Sequence, residues 1–405
     1  MASCLPPATT CDCDGRPVSV VEACPIPEYE RCVVAGGEGH LRLLGAHRNE
    51  HAASGVTLRP LSDRNGRMIE LPHDGPLEAV AWGHEPIGGL LYLAACGLSS
   101  LSASVPTPTL DVHKLSPGSE AGAATKRSIP LPKGAGSVRS CAFLQGNSDK
   151  RLCLAGDGNA ALVVDVDGGG GKVVASYALG APGCALALST CVAVRTHPAE
   201  PSQLMLALDD GRVHFFDVRA GGSGGGSGGT SPTSAVARPS LSRSVPLDAT
   251  DAAGLIDVDW SPRDPYLVGG VCGSRWLAWD IRQAADFLPP GGREEERGLP
   301  HSGDAQPTPC TSFRWSPAMP KSFATCGSSN TVYVHSVTPR DEWGGKWQMH
   351  EPTKLGHDLP TRVGALSWVR SHPSMPPMLV GCADSKVCLW ALSTPDNGDS
   401  MGMLQ

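Results

Sequence analysis

The chain repeats one pattern of apolar and polar positions seven times. Each repeat has a short apolar strand, a turn of Gly, Asp, Asn or Ser, and a second strand that ends in an aromatic or apolar pair. Aligning the repeats places one residue of each second strand at an equivalent position: Leu44, His113, Val164, Phe216, Trp279, His335 and Trp390. These positions recur at intervals of 51 to 69 residues, so one unit occurs seven times with insertions.

A further strand with period-two alternation precedes the pair in most repeats. It begins at Leu77, Val138, Leu255, Cys310 and Val363, and a proline often follows it. Val18 opens the same strand in the first repeat, and the weaker run from Cys184 to Ser189 fills the role in the fourth. A fourth, outer strand is expected in the variable connection. Because such a unit cannot bury both faces alone, we expect the seven units to stack around an axis.

Three motifs make the chain resemble the WD-repeat β-propeller family. They are the run from Asp384 to Trp390, the Trp279-Asp280 pair, and the Gly356-His357 pair before the last repeat. The resemblance implies an all-β fold, a seven-bladed WD-repeat β-propeller over residues 17–392. It also implies a structural hydrogen-bond network of His357, Asp384 and Trp390 in blade seven.

Four segments are expected to lie outside the regular blades. Residues 1–16 form an N-terminal tail that is a candidate for the strand closing blade seven, and residues 393–405 form a C-terminal tail that is the alternative. The Gly/Ser-rich segment 220–244 and the polar segment 287–308 are expected to be two flexible, disordered loop insertions.

Charge and composition exclude several function classes. The net charge is −7 at a pI near 6.0, which lacks the basic footprint of nucleic-acid binding. The N-terminus lacks the features of a secretory signal, and the longest uncharged stretch contains too many Ser, Thr, Gly and Pro residues for a membrane span. We therefore expect no nucleic-acid partner, no membrane insertion, and a location in the cytoplasm, with the nucleus as the alternative.

The 15 cysteines do not suggest a reaction or a metal site. Most are expected to be free, and the local group of Cys4, Cys11, Cys13, Cys24 and Cys32 lacks the paired spacing of a structural zinc site. Six cysteines fall in the short apolar strand of their repeat, the second of the four strands of a blade, where a small apolar side chain packs between sheets: Cys32, Cys96, Cys153, Cys272, Cys326 and Cys382. No nucleophile motif is present, so no catalytic residue, metal, cofactor or small-molecule substrate is predicted.

Two arginines are candidates for partner binding. Arg219 and Arg282 end third strands in an Asp-x-Arg sequence. This resembles the Trp-Asp-x-Arg box of WD-repeat substrate receptors of cullin-four ubiquitin ligases, where the arginine meets the adaptor. A guanidinium at a rim can bind an acidic partner through two parallel hydrogen bonds. Local pairing with Asp217 or Asp280 is the alternative role.

The leading interpretation is a non-enzymatic scaffold that mediates protein–protein interactions in a multiprotein complex, with one or more proteins as partners. A substrate receptor of a cullin-four type ubiquitin ligase is the first alternative. A WD-repeat hydrolase is the second, and it is weakened by the missing nucleophile motif.

Overall fold

The computed structural model describes residues 7, 9–51, 55–63, 65–87, 89–99, 107–116, 124–132, 135–145, 150–158, 160–167, 171–179, 189–218, 241–244, 254–282, 301–339, 347–356, 359, 361–370 and 375–392. The strands are, in chain order, β1 Thr9–Asp12, β2 Val18–Ala23, β3 Cys32–Gly37, β4 His40–Arg48, β5 Val56–Pro60, β6 Glu70–Pro72, β7 Leu77–Trp82, β8 Leu91–Leu98, β9 Pro108–Leu115, β10 Ala124–Pro130, β11 Val138–Phe143, β12 Arg151–Gly156, β13 Ala160–Asp165, β14 Val173–Ala178, β15 Cys191–Thr196, β16 Gln203–Leu208, β17 Arg212–Asp217, β18 Leu241–Ser244, β19 Leu255–Trp260, β20 Leu267–Cys272, β21 Arg275–Asp280, β22 His301–Asp304, β23 Cys310–Trp315, β24 Ser322–Gly327, β25 Val332–Pro339, β26 Trp347–Met349, β27 Thr353–Leu355, β28 Val363–Val369, β29 Met378–Ala383 and β30 Lys386–Ala391. The helix found among these residues is the three-residue 3-10 turn Pro27–Tyr29. In the described part of the chain, no helix has the length and apolar character needed to cross a membrane.

Within the described residues, the strands form seven antiparallel sheets, one for each repeat. The innermost strands β2, β7, β11, β15, β19, β23 and β28 contact one another in that order, and β28 contacts β2. The residues aligned from the sequence lie at equivalent positions of the third strands. Leu44 pairs with Val33 of the second strand in blade one, and Trp390 pairs with Leu379 of the second strand in blade seven. The predicted seven-bladed all-β propeller is confirmed.

Every blade has the expected outer strand, although two blades build it from two pieces. In blade one, β5 and β6 both pair with β4, and in blade six, β26 and β27 both pair with β25. In each of these blades, the two pieces pair with successive parts of the third strand, which is β4 in blade one and β25 in blade six. Blades two to five use the single outer strands β10, β14, β18 and β22.

Blade seven takes its outer strand from the N-terminus. Thr9 lies opposite Leu389 and Asp12 opposite Lys386, so β1 joins the sheet that contains the last repeat. This strand begins after the prolines near the N-terminus, which cannot contribute ladder donors. The alternative donor, residues 393–405, lies outside the described residues.

The protein has no single central core among the described residues; its apolar side chains are buried between adjacent blades. Seven clusters of buried apolar side chains each draw on two neighbouring sheets. The aromatic residues that close four inner strands, Trp82, Trp260, Trp315 and Trp368, are buried in these clusters. Their recurrence at the end of the inner strand in four repeats is the pattern that a packing role requires. Each blade is thus stabilised mainly by its two neighbours, as in other closed repeat folds.

The inner strand of blade four is a correction to the sequence-based prediction. It is Cys191–Thr196, not the run from Cys184 to Ser189. This strand ends in Arg195 and Thr196 and has no aromatic residue at its end, unlike the inner strands of five of the other six blades. Arg195 is compatible with an innermost strand because its side chain lines the axial channel.

The two insertions also need correction at their C-terminal ends. Leu241–Ser244 pairs with β17 as the outer strand of blade four, and His301–Asp304 pairs with β21 in blade five. The predicted flexible segments 220–244 and 287–308 therefore extend too far. An outer strand of four residues pairs with its blade along one edge only and needs few apolar side chains. Its composition therefore does not distinguish it from a loop. The parts 219–240 and 283–300 lie outside the described residues.

Candidate functional site

An axial channel of about 520 Å³ is enclosed by the seven inner strands. Every inner strand has a β-bulge after its first residue. The residues left out of the ladder, such as Ser19, Glu78 and Arg139, line the upper mouth, which we define as the end where the inner strands begin. The lower mouth, where the strands end, includes His84 and Arg370.

At the depth of the fifth residues of the inner strands, the channel wall is charged on one side and carries small side chains on the other. The fifth residues of the inner strands form a ring in blade order: Glu22, Ala81, Ala142, Arg195, Asp259, Arg314 and Ser367. The charges fall in blades four, five, six and one, whereas blades two and three contribute only methyl groups. The channel is therefore asymmetric, although the fold that surrounds it is close to seven-fold.

Asp257, in the third position of β19, is the centre of the charged half. Its Oδ1 lies 3.0 Å from a guanidinium nitrogen of Arg195, and its Oδ2 lies 2.5 Å from Nη1 of Arg314. Oδ2 also accepts hydrogen bonds from the Ser312 hydroxyl (3.2 Å) and the Phe313 N–H (3.0 Å). With 6% of its surface exposed, this carboxylate ties blades four, five and six together.

Hydroxyl groups continue the same inter-blade contacts around the ring. The Ser140 Oγ in blade three accepts a hydrogen bond from the Val194 N–H in blade four at 3.0 Å. The Ser367 Oγ in blade seven accepts one from the Ala23 N–H in blade one, also at 3.0 Å. Each contact satisfies a backbone donor that no ladder partner reaches.

Glu22 and Asp259 are the two channel carboxylates whose ionisation is disfavoured. Burial raises the pKa of Glu22 to about 7, although Arg314 and Arg195 oppose the shift. Burial also raises the pKa of Asp259, against the attraction of the same two arginines. The Trp315 N–H donates to Asp259 at 2.9 Å, whereas no described residue donates a hydrogen bond to the Glu22 carboxylate.

We predict that Glu22→Gln flattens the dependence of stability on pH. The folded pKa of Glu22 is raised, so its contribution to stability is complete below the unfolded pKa and is lost as pH rises through about 7. At pH 8 the variant should be more stable than the wild-type protein by about 1–3 kcal/mol, and near pH 5 the two should differ little. Urea unfolding of both proteins at the two pH values measures the difference. An identical gap at both pH values would contradict the prediction.

The structure places Arg282 at the lower rim, where it pairs within its own turn. Its Nε lies 2.9 Å and 3.1 Å from the two carboxylate oxygens of Asp280. Its guanidinium carbon lies 4.2 Å from the ring centre of Tyr266, which is 43% exposed. Arg282 is itself exposed and therefore accessible to a partner, while Arg219 lies outside the described residues.

The network predicted for blade seven stays a prediction. Asp384 is exposed in the turn between β29 and β30, with a left-handed φ of 53°, and His357 lies outside the described residues. The Trp390 indole N–H is buried and has no hydrogen-bond partner among the described residues. The three residues are therefore not seen together in the part of the chain that the structure describes.

Blade two contains a buried network that the sequence only hinted at. His73 Nδ1 lies 2.8 Å from Asp111 Oδ2, Ser128 donates to Oδ1 at 2.6 Å, and the Lys126 ammonium lies 3.0 Å from Oδ2. Burial opposes ionisation of Asp111, but these three hydrogen bonds outweigh it and lower the pKa of Asp111 to about 2. The signal in the sequence was a carboxylate inside the otherwise apolar run of Leu110 to Val112.

The six cysteines predicted in second strands lie in β3, β8, β12, β20, β24 and β29, the second strands of six blades. The described cysteines are buried, apart from the half-buried Cys32. Cys11 and Cys13 pack between blades seven and one, whereas Cys24 packs between blades one and two. Burial raises the pKa of Cys24 to about 11 and that of Cys32 to about 12, which disfavours the reactive thiolate. No set of three metal-ligating side chains is grouped among the described residues.

Comparisons with known proteins agree with the fold. No protein-family model matches the chain. Over 226 residues, 54% of this chain, the sequence is 25% identical to nucleoporin Nup37 of mouse (Mus musculus) and of human (Homo sapiens). The match covers 51% of those proteins, so the chain spans about half the length of the curated relatives it matches.

A solved structure gives the wider match. A chain in the crystal structure of a mitotic checkpoint complex superposes with a TM-score of 0.58, covering 97% of this chain and 94% of that one, at 15% identity. At that identity the likeness concerns the fold alone. Taken with the WD motifs and the closed ring of seven sheets, these findings support a seven-bladed β-propeller of the WD-repeat type.

Proposed function

We propose that the protein is a non-enzymatic scaffold that holds partner proteins together in a multiprotein complex. The sequence likeness to nucleoporin Nup37, carried on a complete seven-bladed ring, is the observation that supports this most directly. A propeller offers two wide faces and an outer wall to partners, while its core is formed by blade-to-blade packing.

The chemistry of the described side chains supports a non-enzymatic role. Most of the described cysteines are buried, and burial raises the pKa of Cys191 to about 12, which disfavours its thiolate. Ser189 donates to Asp210 at 2.6 Å, and Ser316 accepts a hydrogen bond from the Met319 N–H at 3.0 Å. Neither serine is hydrogen-bonded to a histidine or a lysine in these contacts, which weakens the hydrolase alternative.

The nucleoporin likeness favours the nucleus over the cytoplasm as the place of assembly. A tagged full-length chain, expressed at its natural level, should localise to the nuclear envelope and co-purify with a stable set of proteins. The tag alone serves as the control in affinity purification with mass spectrometry. A diffuse cytoplasmic signal would overturn the location, and the absence of any protein above the control would overturn the scaffold proposal.

The cullin-four receptor is retained as a second candidate because Arg282 is exposed at the lower rim. Its stacking on Tyr266 and its pairing with Asp280 hold the guanidinium in one orientation, which reduces the entropy lost on binding. Tyr and Arg are also the residue types that dominate binding energy at interfaces.

We predict that Arg282→Glu abolishes co-purification with the cullin-four adaptor if this candidate is correct. The loss of one desolvated interface guanidinium costs about 2–5 kcal/mol of binding energy. The exposed Arg59 on β5, changed to Glu, is the matched control and should retain binding. Failure of the wild-type protein to bind the adaptor, or equal binding by Arg282→Glu, removes the receptor role. Early thermal unfolding of Arg282→Glu would instead assign the arginine to local pairing with Asp280.

A further inference from the structure

Glu22 differs from the other channel carboxylates because its charge has no bonded partner. Asp257 contacts two guanidinium groups, a hydroxyl and a backbone N–H. Asp259 accepts a backbone N–H and lies 3.6 Å from Nε of Arg195. Glu22, by contrast, lines the cavity without a hydrogen bond from any described residue. A half-buried carboxylate in this position loses much of its hydration without replacement.

The charges around Glu22 leave one negative charge uncompensated. The groups that act on it are Arg195, Arg314, Asp257 and Asp259. Two cations therefore face three carboxylates. The neighbouring inner strand β28 carries no ionisable group, and the one on β7, Glu78, lies at the upper mouth and accepts a hydrogen bond from Ser137. At the lower mouth, Arg370 is bonded to the Pro25 carbonyl.

The space beside Glu22 suits a small cation. Its neighbours in the ring of fifth residues are Ala81 on one side and Ser367 on the other, and Ala142 follows Ala81. Glu22 is the fifth of six residues in β2, so it lies only about 3–7 Å along the strand from the lower mouth. An extended butylamine or lysine stem has that reach.

We propose that the channel binds a primary ammonium group at Glu22, supplied by a small alkylamine or by a lysine side chain. An ammonium carries three N–H donors and one positive charge, which matches one unpaired carboxylate with a nearby hydroxyl. A multivalent metal ion fits less well, because no three metal-ligating side chains are grouped among the described residues. This inference does not depend on the scaffold proposal.

The test is a titration of the full chain with n-butylammonium chloride at pH 8, followed by thermal unfolding. A ligand that binds the folded protein raises the unfolding midpoint with concentration. Sodium chloride and tetramethylammonium chloride at equal concentration are the controls, since neither has an N–H donor. At pH 6 the apparent affinity should be about tenfold weaker, because protons compete for a carboxylate whose pKa is about 7.

Two variants separate binding at Glu22 from a general salt effect. Glu22→Gln should lose the ammonium-specific shift, and Glu78→Gln at the upper mouth should keep it. A shift of equal size in Glu22→Gln, or no shift beyond the controls in the wild-type protein at pH 8, would overturn the proposal. Nα-acetyl-lysine methylamide distinguishes the sources: a shift with this probe assigns the site to a lysine side chain, and a shift with butylammonium alone assigns it to a free amine.

Discussion

Asp257→Ala should lower the free energy of unfolding by about 3–5 kcal/mol, the range seen when one partner of a buried ion pair is removed. Arg195 and Arg314 would lose the carboxylate that joins them, and Asp259 would be left as the acid nearest to both. The Phe313 N–H would also lose its acceptor. Urea unfolding followed by tryptophan fluorescence measures the change.

Two further variants show whether the loss comes from the channel contacts. Asp157→Ala removes an exposed aspartate that pairs with Arg139 and should cost less than about 1 kcal/mol. Combining Asp257→Ala with Arg314→Met should cost less than the sum of the two single changes, because the second change removes one of the stranded charges. A loss below about 1 kcal/mol for Asp257→Ala, or strictly additive losses, would contradict the role of Asp257 as the centre of the charged half.

Deleting residues 1–16 should destabilise the protein by roughly 4 kcal/mol or more, from lost ladder hydrogen bonds and from re-exposed apolar surface. The deletion removes β1 from blade seven and uncovers the side of β30 that now pairs with it. Cys11 and Cys13 would leave the cluster between blades seven and one. Thermal and urea unfolding of the truncated chain measure the effect.

A peptide of residues 7–16 provides the control. Added in excess, it should restore part of the lost stability, because it can pair with β30 and supply Asp14 to Arg42. Arg42 is 1% exposed and is hydrogen-bonded to Asp14 and to Glu70, so the end of the closing strand has a charged anchor in blade one. An unchanged unfolding midpoint in the truncated chain would show that β1 contributes nothing to closure.

The number and order of blades follow from the sequence because each strand shows its own alternation of buried and exposed residues. Insertions between the strands leave this alternation unchanged. Leu44, Phe216 and Trp390 align by pattern alone, and each lies at the predicted position of a third strand. Local alternation also located six of the seven inner strands. It failed in blade four, where the strand Cys191–Thr196 ends in Thr196 and lacks the aromatic residue that closes most of the other inner strands.

The charged half of the channel could not be predicted in the same way. The sequence of β19 shows Asp257 and Asp259 at alternate positions, and β23 shows Arg314 two residues after Ser312. These residues come from different repeats, and Arg195 lies 62 positions before Asp257. Only the curvature of the ring brings them within hydrogen-bond distance, because each side chain projects from an innermost strand toward one axis.

The sequence by itself determined the repeat, the strand pattern within each repeat and the burial of the cysteines, because these depend on local periodicity and on apolar burial. The tertiary structure decided which terminus closes blade seven, which residues form the outer strands of blades four and five, and which charges meet in the channel. Each of these depends on contacts between residues far apart in the chain. A short edge strand or a single charged residue has too few neighbours in the sequence to show which distant residues it will pair with. Those partners are defined only by the folded ring.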